Sequence, residues 1–128
     1  MSYTVLIVDD SEIIRAALER TLKLSKVPVI QIFTACDGVD GLEKLKNNWI
    51  DIVLTDINMP KMSGIEMFEQ MQSHNDLKDI PVVVVSTEGS SVRIDDLRSK
   101  GIRGYIRKPF TPENVRNVIM QIMEDDND

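Results

Sequence analysis

The chain alternates between two rhythms of apolar and polar positions. Val5-Leu6-Ile7-Val8, Ile52-Val53-Leu54 and Val82-Val83-Val84-Val85 are unbroken apolar runs rich in β-branched residues. Runs without in-out alternation fit strands buried on both faces, as in a parallel sheet. Val29-Ile30-Gln31-Ile32-Phe33 carries a polar residue inside it, which predicts a less buried or edge strand. Tyr105-Ile106 is the centre of a short fifth strand.

Between these runs the apolar positions recur every three or four residues, the spacing of a helix with one buried face. Ile14, Ala17, Leu18 and Leu22 form one stripe behind a capping Ser11. Val39, Leu42 and Leu45 form a second, opened by Asp37-Gly38. Ile65, Phe68 and Met71 form a third, started by the capping-box pattern Ser63-Gly64-Ile65-Glu66. Val92, Ile94 and Leu97 make a poor fourth stripe among many charges, closed by Gly101. Val115, Val118, Ile119, Ile122 and Met123 make the fifth, with Thr111 as cap and Pro112 in the first turn.

Five strand–helix pairs in alternation predict one doubly wound α/β domain with a parallel sheet. In such folds ligands bind at the carboxyl ends of the strands, where the strand order reverses. A sheet ordered 2-1-3-4-5 puts that point between strands one and three.

The groups at those ends change the picture. Asp9-Asp10 follow strand one, Asp56 ends strand three, Ser86 follows strand four and Lys108 follows strand five. Each has a structural explanation on its own: the aspartates as helix caps, Ser86 as a turn residue, Lys108 as a surface lysine. Their coincidence at one end of four strands points to a shared site. Three carboxylates close together repel one another unless a cation sits among them. Hard oxygen ligands suit Mg²⁺, which takes one or two carboxylates and binds phosphate oxygens. A metal, a lysine and a hydroxyl are the parts that stabilise phosphoryl transfer, with Asp56 as the nucleophile that becomes an acyl phosphate.

Composition narrows the partners. The chain has 128 residues, 42% hydrophobic and 28% charged, with a net charge of −6. An acidic chain lacks the basic surface that non-specific nucleic-acid or membrane binding requires. The single cysteine, Cys36, excludes an internal disulfide, fits a reducing cytoplasmic setting and reads as a small packed side chain. The lone His74 reads as an exposed loop residue rather than a base or ligand. No signal peptide or membrane-length apolar run is present in the sequence.

The Asp9-Asp10 pair, Asp56-Ile57-Asn58-Met59-Pro60 followed by Gly64, Ser86-Thr87 and Lys108-Pro109-Phe110 fall in order along the chain. Together they resemble the receiver domains of two-component response regulators, most closely the single-domain chemotaxis type. The fold so implied is flavodoxin-like. The resemblance implies that Asp56 accepts the phosphoryl group. It implies that Asp10 binds Mg²⁺ directly, Asp9 through water, and Asn58 through its backbone carbonyl, with Mn²⁺ as a substitute. Ser86 and Lys108 would bond the phosphoryl group, Tyr105 would be the switch residue, and the Lys108–Pro109 bond would be cis. Asn58 and Glu88 would tune the dephosphorylation rate, and Thr87 would narrow access to the site.

The implied function is a switch charged by a histidine kinase. It would signal through the face of helix four, strand five and helix five, to the flagellar motor switch or to a phosphorelay or kinase. The protein would be no enzyme beyond slow self-dephosphorylation. Residues 1–124 would be the receiver and 125–128 a frayed acidic tail. A monomer standing alone in the cytoplasm, with no nucleic acid and no membrane, completes the expectation. Two rivals share parts of the pattern. An aspartyl phosphatase of the haloacid-dehalogenase type would need an acid where Asn58 stands, and a flavin binder would need a hydroxyl- and glycine-rich loop where Asp9-Asp10 stand.

Overall fold

The computed structural model describes residues 1–87 and 91–126, and at 91, 92, 125 and 126 the backbone alone. Five strands form one parallel sheet: β1 (Tyr3–Val8), β2 (Val29–Ala35), β3 (Ile52–Thr55), β4 (Val82–Ser86) and β5 (Gly104–Arg107). Their spatial order is β2-β1-β3-β4-β5. Helices α1 (Glu12–Leu24), α2 (Gly38–Asn47), α3 (Gly64–Gln72), α4 (Ser91–Ser99) and α5 (Pro112–Asp126) follow the strands in turn.

The two-residue period of a strand sends alternate side chains to opposite faces, and the two cores follow from it. Leu6, Val8, Val53, Val82 and Val84 face one way, against Leu42 and Leu45 of α2 and Met67, Phe68 and Met71 of α3. Val5, Ile7, Ile52, Leu54, Val83 and Val85 face the other, against Leu18 and Leu22 of α1 and Val115, Ile119 and Ile122 of α5. Leu97 is the one buried residue of α4 among the described side chains, a thin attachment.

The expected caps are present. Ser11 Oγ accepts from Ile14 N at 3.2 Å, Asp37 Oδ1 from Asp40 N at 2.8 Å, and Thr111 Oγ1 from Asn114 N at 3.1 Å. The Ser63–Glu66 box closes in both directions. Gly101 ends α4 with φ of +114°, where an L side chain would be strained.

Four expectations from the pattern differ. Val39 is 47% exposed, because α2 turns Gly38 and Gly41 inward instead. A Cβ at Gly41 would lie 2.7 Å from Met67 Sδ, so glycine lets the helix approach closely. Ala17 is exposed, since Leu18 and Leu22 already carry the buried stripe of α1. Cys36 is exposed rather than packed: it follows the last residue of β2, where the chain leaves the sheet for the Asp37 cap. Helix α5 runs on to Asp126, two residues into the stretch read as tail. His74 is exposed in the connection before β4, as expected.

Candidate functional site

The switch point of the sheet lies between β1 and β3, which pair Val8 with Thr55. Both strands therefore end side by side, and the residues that follow them meet. Asp56 N donates to Val8 O at 2.9 Å, which fixes the acceptor loop to the end of β1. One ligand oxygen each from Asp9, Asp10 and Asp56 lies within 4.8 Å of the others.

Asp9 is 3% exposed and fully engaged. Its Oδ1 accepts from Ser11 N at 2.9 Å and its Oδ2 from Lys108 Nζ at 3.0 Å. Asp10, one residue on, is exposed. Asp56 is half-buried; its Oδ1 accepts from Ile57 N at 2.8 Å and lies 3.7 Å from Lys108 Nζ. Lys108 comes from the loop after β5, 99 residues along the chain from Asp9. It touches both carboxylates because β5 and β4 lie in register with Ser86 beside Arg107, and Lys108 N donates to Ser86 O at 2.9 Å.

Desolvation pushes the Asp56 carboxyl above the ordinary aspartate range. Lys108 and the Ile57 N–H pull it down, and Asp9 and Asp10 push it up again. The group is held in a state that a further cation would relieve.

The donor set fits Mg²⁺. Opposite oxygens of an octahedral Mg²⁺ stand about 4.2 Å apart, and the three carboxylates need only a small closure from their present spread. Two direct ligands with the third reached through water need less. Asn58 is exposed two residues beyond Asp56, on the loop that would offer a carbonyl.

Ser86 ends β4 and is 5% exposed. The half-buried Tyr105 donates its hydroxyl to Ser86 O at 3.2 Å, which links β5 to the end of β4. The Lys108–Pro109 bond is cis, as the resemblance implied. Thr87 is exposed next to Ser86, and Glu88 lies outside the described residues.

Two contributors escaped the sequence, and the contact made by a third, Gly64 of the motif, appears only in the fold. Arg15 Nη1 donates to Asp9 O at 2.8 Å and so anchors the Asp9-Asp10 turn. Its position six residues on, in the first turns of α1, was the available signal. Thr55 Oγ1 donates to Asp56 O at 2.9 Å; a hydroxyl in an otherwise apolar strand was the hint there. Gly64 N donates to Ile57 O at 2.8 Å, and a Cβ at Gly64 would collide with the Asp56 carbonyl oxygen. Only glycine lets α3 begin so close beneath the acceptor loop.

Comparison with known proteins agrees with this geometry. The family description "Response regulator receiver domain" matches residues 5–120. The chain is similar to the chemotaxis protein CheY1 of Helicobacter pylori, 32% identical over 120 residues that span 93% of this chain and 95% of that protein. It is similar to the solved structure of Vibrio cholerae CheY4, with 30% identity and a TM-score of 0.84 over 95% of this chain and 99% of the other. It is also similar to a chain of the CheX-CheY-BeF3-Mg²⁺ complex from Borrelia burgdorferi, with 32% identity and a TM-score of 0.83 over 94% and 89%. With nearly the whole chain matched and the three-aspartate cluster and lysine in place, the protein belongs to the response regulator receiver domain family, of the CheY type found in chemotaxis.

Proposed function

We propose that this protein is a phosphorylation-activated signalling switch with Asp56 as its phosphoryl acceptor. One observation carries the reading: Asp9, Asp10 and Asp56 converge within 4.8 Å, with Lys108 3.7 Å from the Asp56 carboxylate. Mg²⁺ bound by Asp10, Asp56 and the Asn58 carbonyl, with Asp9 reached through water, supplies the charge that lets an anionic phosphoryl group approach; Mn²⁺ serves in its place.

A phosphohistidine of a histidine kinase donates the group. An Asp56 oxygen forms the new P–O bond as the P–N bond breaks, and the histidine leaves with the electron pair. Lys108, already between Asp9 and Asp56, pairs with a phosphoryl oxygen. Ser86 donates its hydroxyl to another. As the end of β4 is drawn in, the Tyr105 hydroxyl bond to Ser86 O is disturbed and the ring reorients. The α4–β5–α5 face then changes its affinity for a downstream target. The thin attachment of α4, with Leu97 its buried residue among those described, supports a movable element there.

The CheY relatives favour chemotaxis, with the flagellar motor switch as the target and the cytoplasm as the setting. Asn58 and Glu88 set the lifetime of the phosphorylated state through slow self-dephosphorylation. The test is Asp56→Asn exposed to acetyl phosphate or beryllofluoride with Mg²⁺. Wild type takes up one phosphoryl group and shifts its amide NMR signals around Tyr105. A variant that is still modified, or still shifts like wild type, sinks the assignment.

A further inference from the structure

The amino ends of β3 and β4 lie at the opposite end of the sheet from Asp56, and an exposed tryptophan stands there. Trp49 precedes β3 and is 83% exposed. Tryptophan is highly buried on average, and one left on the surface is a frequent anchor of interfaces. This ring is held rather than loose. Its Nε1 donates to Asp51 Oδ1 at 3.1 Å. Asp51 is itself fixed to β1: its Oδ2 accepts from Thr4 N at 2.8 Å, and its backbone N donates to Thr4 O at 2.9 Å. A side chain already placed loses less freedom when a partner binds it.

Trp49 borders a groove of about 480 Å³ between the end of α2 and the connection before β4. Leu45, Ile50, Leu77 and Ile80 give the groove an apolar lining. Asp76 is the one charged residue that lines it, and it is exposed. Among the described residues the Asp76 carboxylate has no hydrogen bond or ion pair. The cations Lys46 and His74 line a separate, adjoining hollow that Trp49 does not border.

We infer that this groove takes an arginine side chain of a partner protein. Charge selects the occupant. The face of an indole carries negative potential and attracts cations, and the Asp51 carboxylate at the ring edge adds to it. A guanidinium stacks flat on such a face and offers paired N–H donors to a carboxylate, here Asp76. Its methylene stem lies along apolar surface, which the leucines and isoleucines supply. An acidic side chain would be repelled by Asp51 and Asp76, and a neutral one would leave Asp76 without a partner. The groove shares no residue with the acidic cluster or with α4, β5 and α5. A partner held here therefore leaves Asp56 and the α4–β5–α5 face open, and it stays bound whether or not the switch is charged.

The test titrates the full chain with the peptide acetyl-Leu-Arg-Leu-amide and follows the indole N–H signal of Trp49 by NMR. A dissociation constant on the order of 5 mM is expected. The analogue with citrulline in place of arginine keeps the shape and drops the charge, and should bind about fivefold more weakly. Asp76→Asn should cut that preference by about twofold or more. Trp49→Leu, followed at the Leu77 and Ile80 amide signals, should lose about fivefold in affinity for the arginine peptide. Its thermal melt and its rate of labelling by acetyl phosphate should match wild type, because the ring is already in solvent. No shift up to about 50 mM peptide overturns the proposal. So does a citrulline or glutamate analogue that binds as well as the arginine peptide, which would leave only an apolar contact. A preference for arginine that survives Asp76→Asn intact overturns it too.

Discussion

Replacing Asp56 by asparagine should stabilise the metal-free protein. Two unit charges interact by about 332/(εr) kcal/mol, with an effective ε of about 20 near a protein surface. At the 4.8 Å limit of the cluster, each aspartate neighbour then repels Asp56 by about 3.5 kcal/mol. Lys108 at 3.7 Å attracts it by about 4.5 kcal/mol. Asp10 is exposed, so its share is screened to about half. Repulsion still leads by about 1 kcal/mol, and desolvation adds to it. Asparagine keeps an oxygen for the Ile57 N–H and drops the charge, so Asp56→Asn should gain about 1–2 kcal/mol at pH 7 without divalent ions.

The sign with pH follows from the raised carboxyl. A group held above its unfolded value favours the fold while protonated and loses that advantage as pH rises through its folded value. The gap between variant and wild type should therefore be full at pH 7–8 and close as the pH falls toward the unfolded aspartate value of about 3.9. Urea unfolding in EDTA, followed by far-ultraviolet circular dichroism, measures it. Tryptophan emission is a poor probe because Trp49 is already 83% exposed in the fold. Millimolar Mg²⁺ should stabilise wild type more than the variant, because the variant has lost a ligand charge. A variant less stable than wild type in EDTA at pH 7, or a gap that widens on acidification, would show that Lys108 outweighs the carboxylates and refute the charge argument.

Removing the cation should do the reverse. Lys108→Ala leaves Asp9, 3% exposed, without its ion pair, and should cost about 2–4 kcal/mol in the same urea assay, with part of the loss recovered in Mg²⁺. Gly64→Ala drives a methyl group against the Asp56 carbonyl oxygen; a loss of about 3 kcal/mol or more, together with slower acetyl-phosphate labelling, is expected. Ser63→Ala breaks the capping box on an exposed turn and should cost about 1 kcal/mol while leaving the labelling rate unchanged. Arg15→Met should weaken Mg²⁺ binding, read by calorimetry, with little change in unfolding, because it frees the Asp9-Asp10 turn rather than emptying a core position.

Much of the fold was legible in local pattern. A continuous run such as Val82–Val85 has nowhere to hide a polar face, so it must be covered on both sides, and helices above and below a parallel sheet do that. The caps at Ser11, Asp37, Ser63 and Thr111 were legible because a cap is a bond across three residues. What was missed depends on neighbours remote in the chain. Val39 looked like a core residue and is not, since the approach of Met67 makes Gly41 the inward position. Arg15 and Thr55 each donate a single bond to a backbone oxygen whose position is set by the meeting of β1 and β3.

The sequence by itself determined which residues end each strand, because strand ends are local: Asp9 and Asp10 after β1, Asp56 after β3, Ser86 at β4, Lys108 after β5. Only the tertiary structure decided how hard they press on one another. Register between β1 and β3 brings Asp56 N to Val8 O, and register between β4 and β5 carries Lys108 across 99 residues to 3.0 Å from Asp9. Charge interactions fall with distance and grow with burial, and neither quantity exists until the sheet has closed the gap.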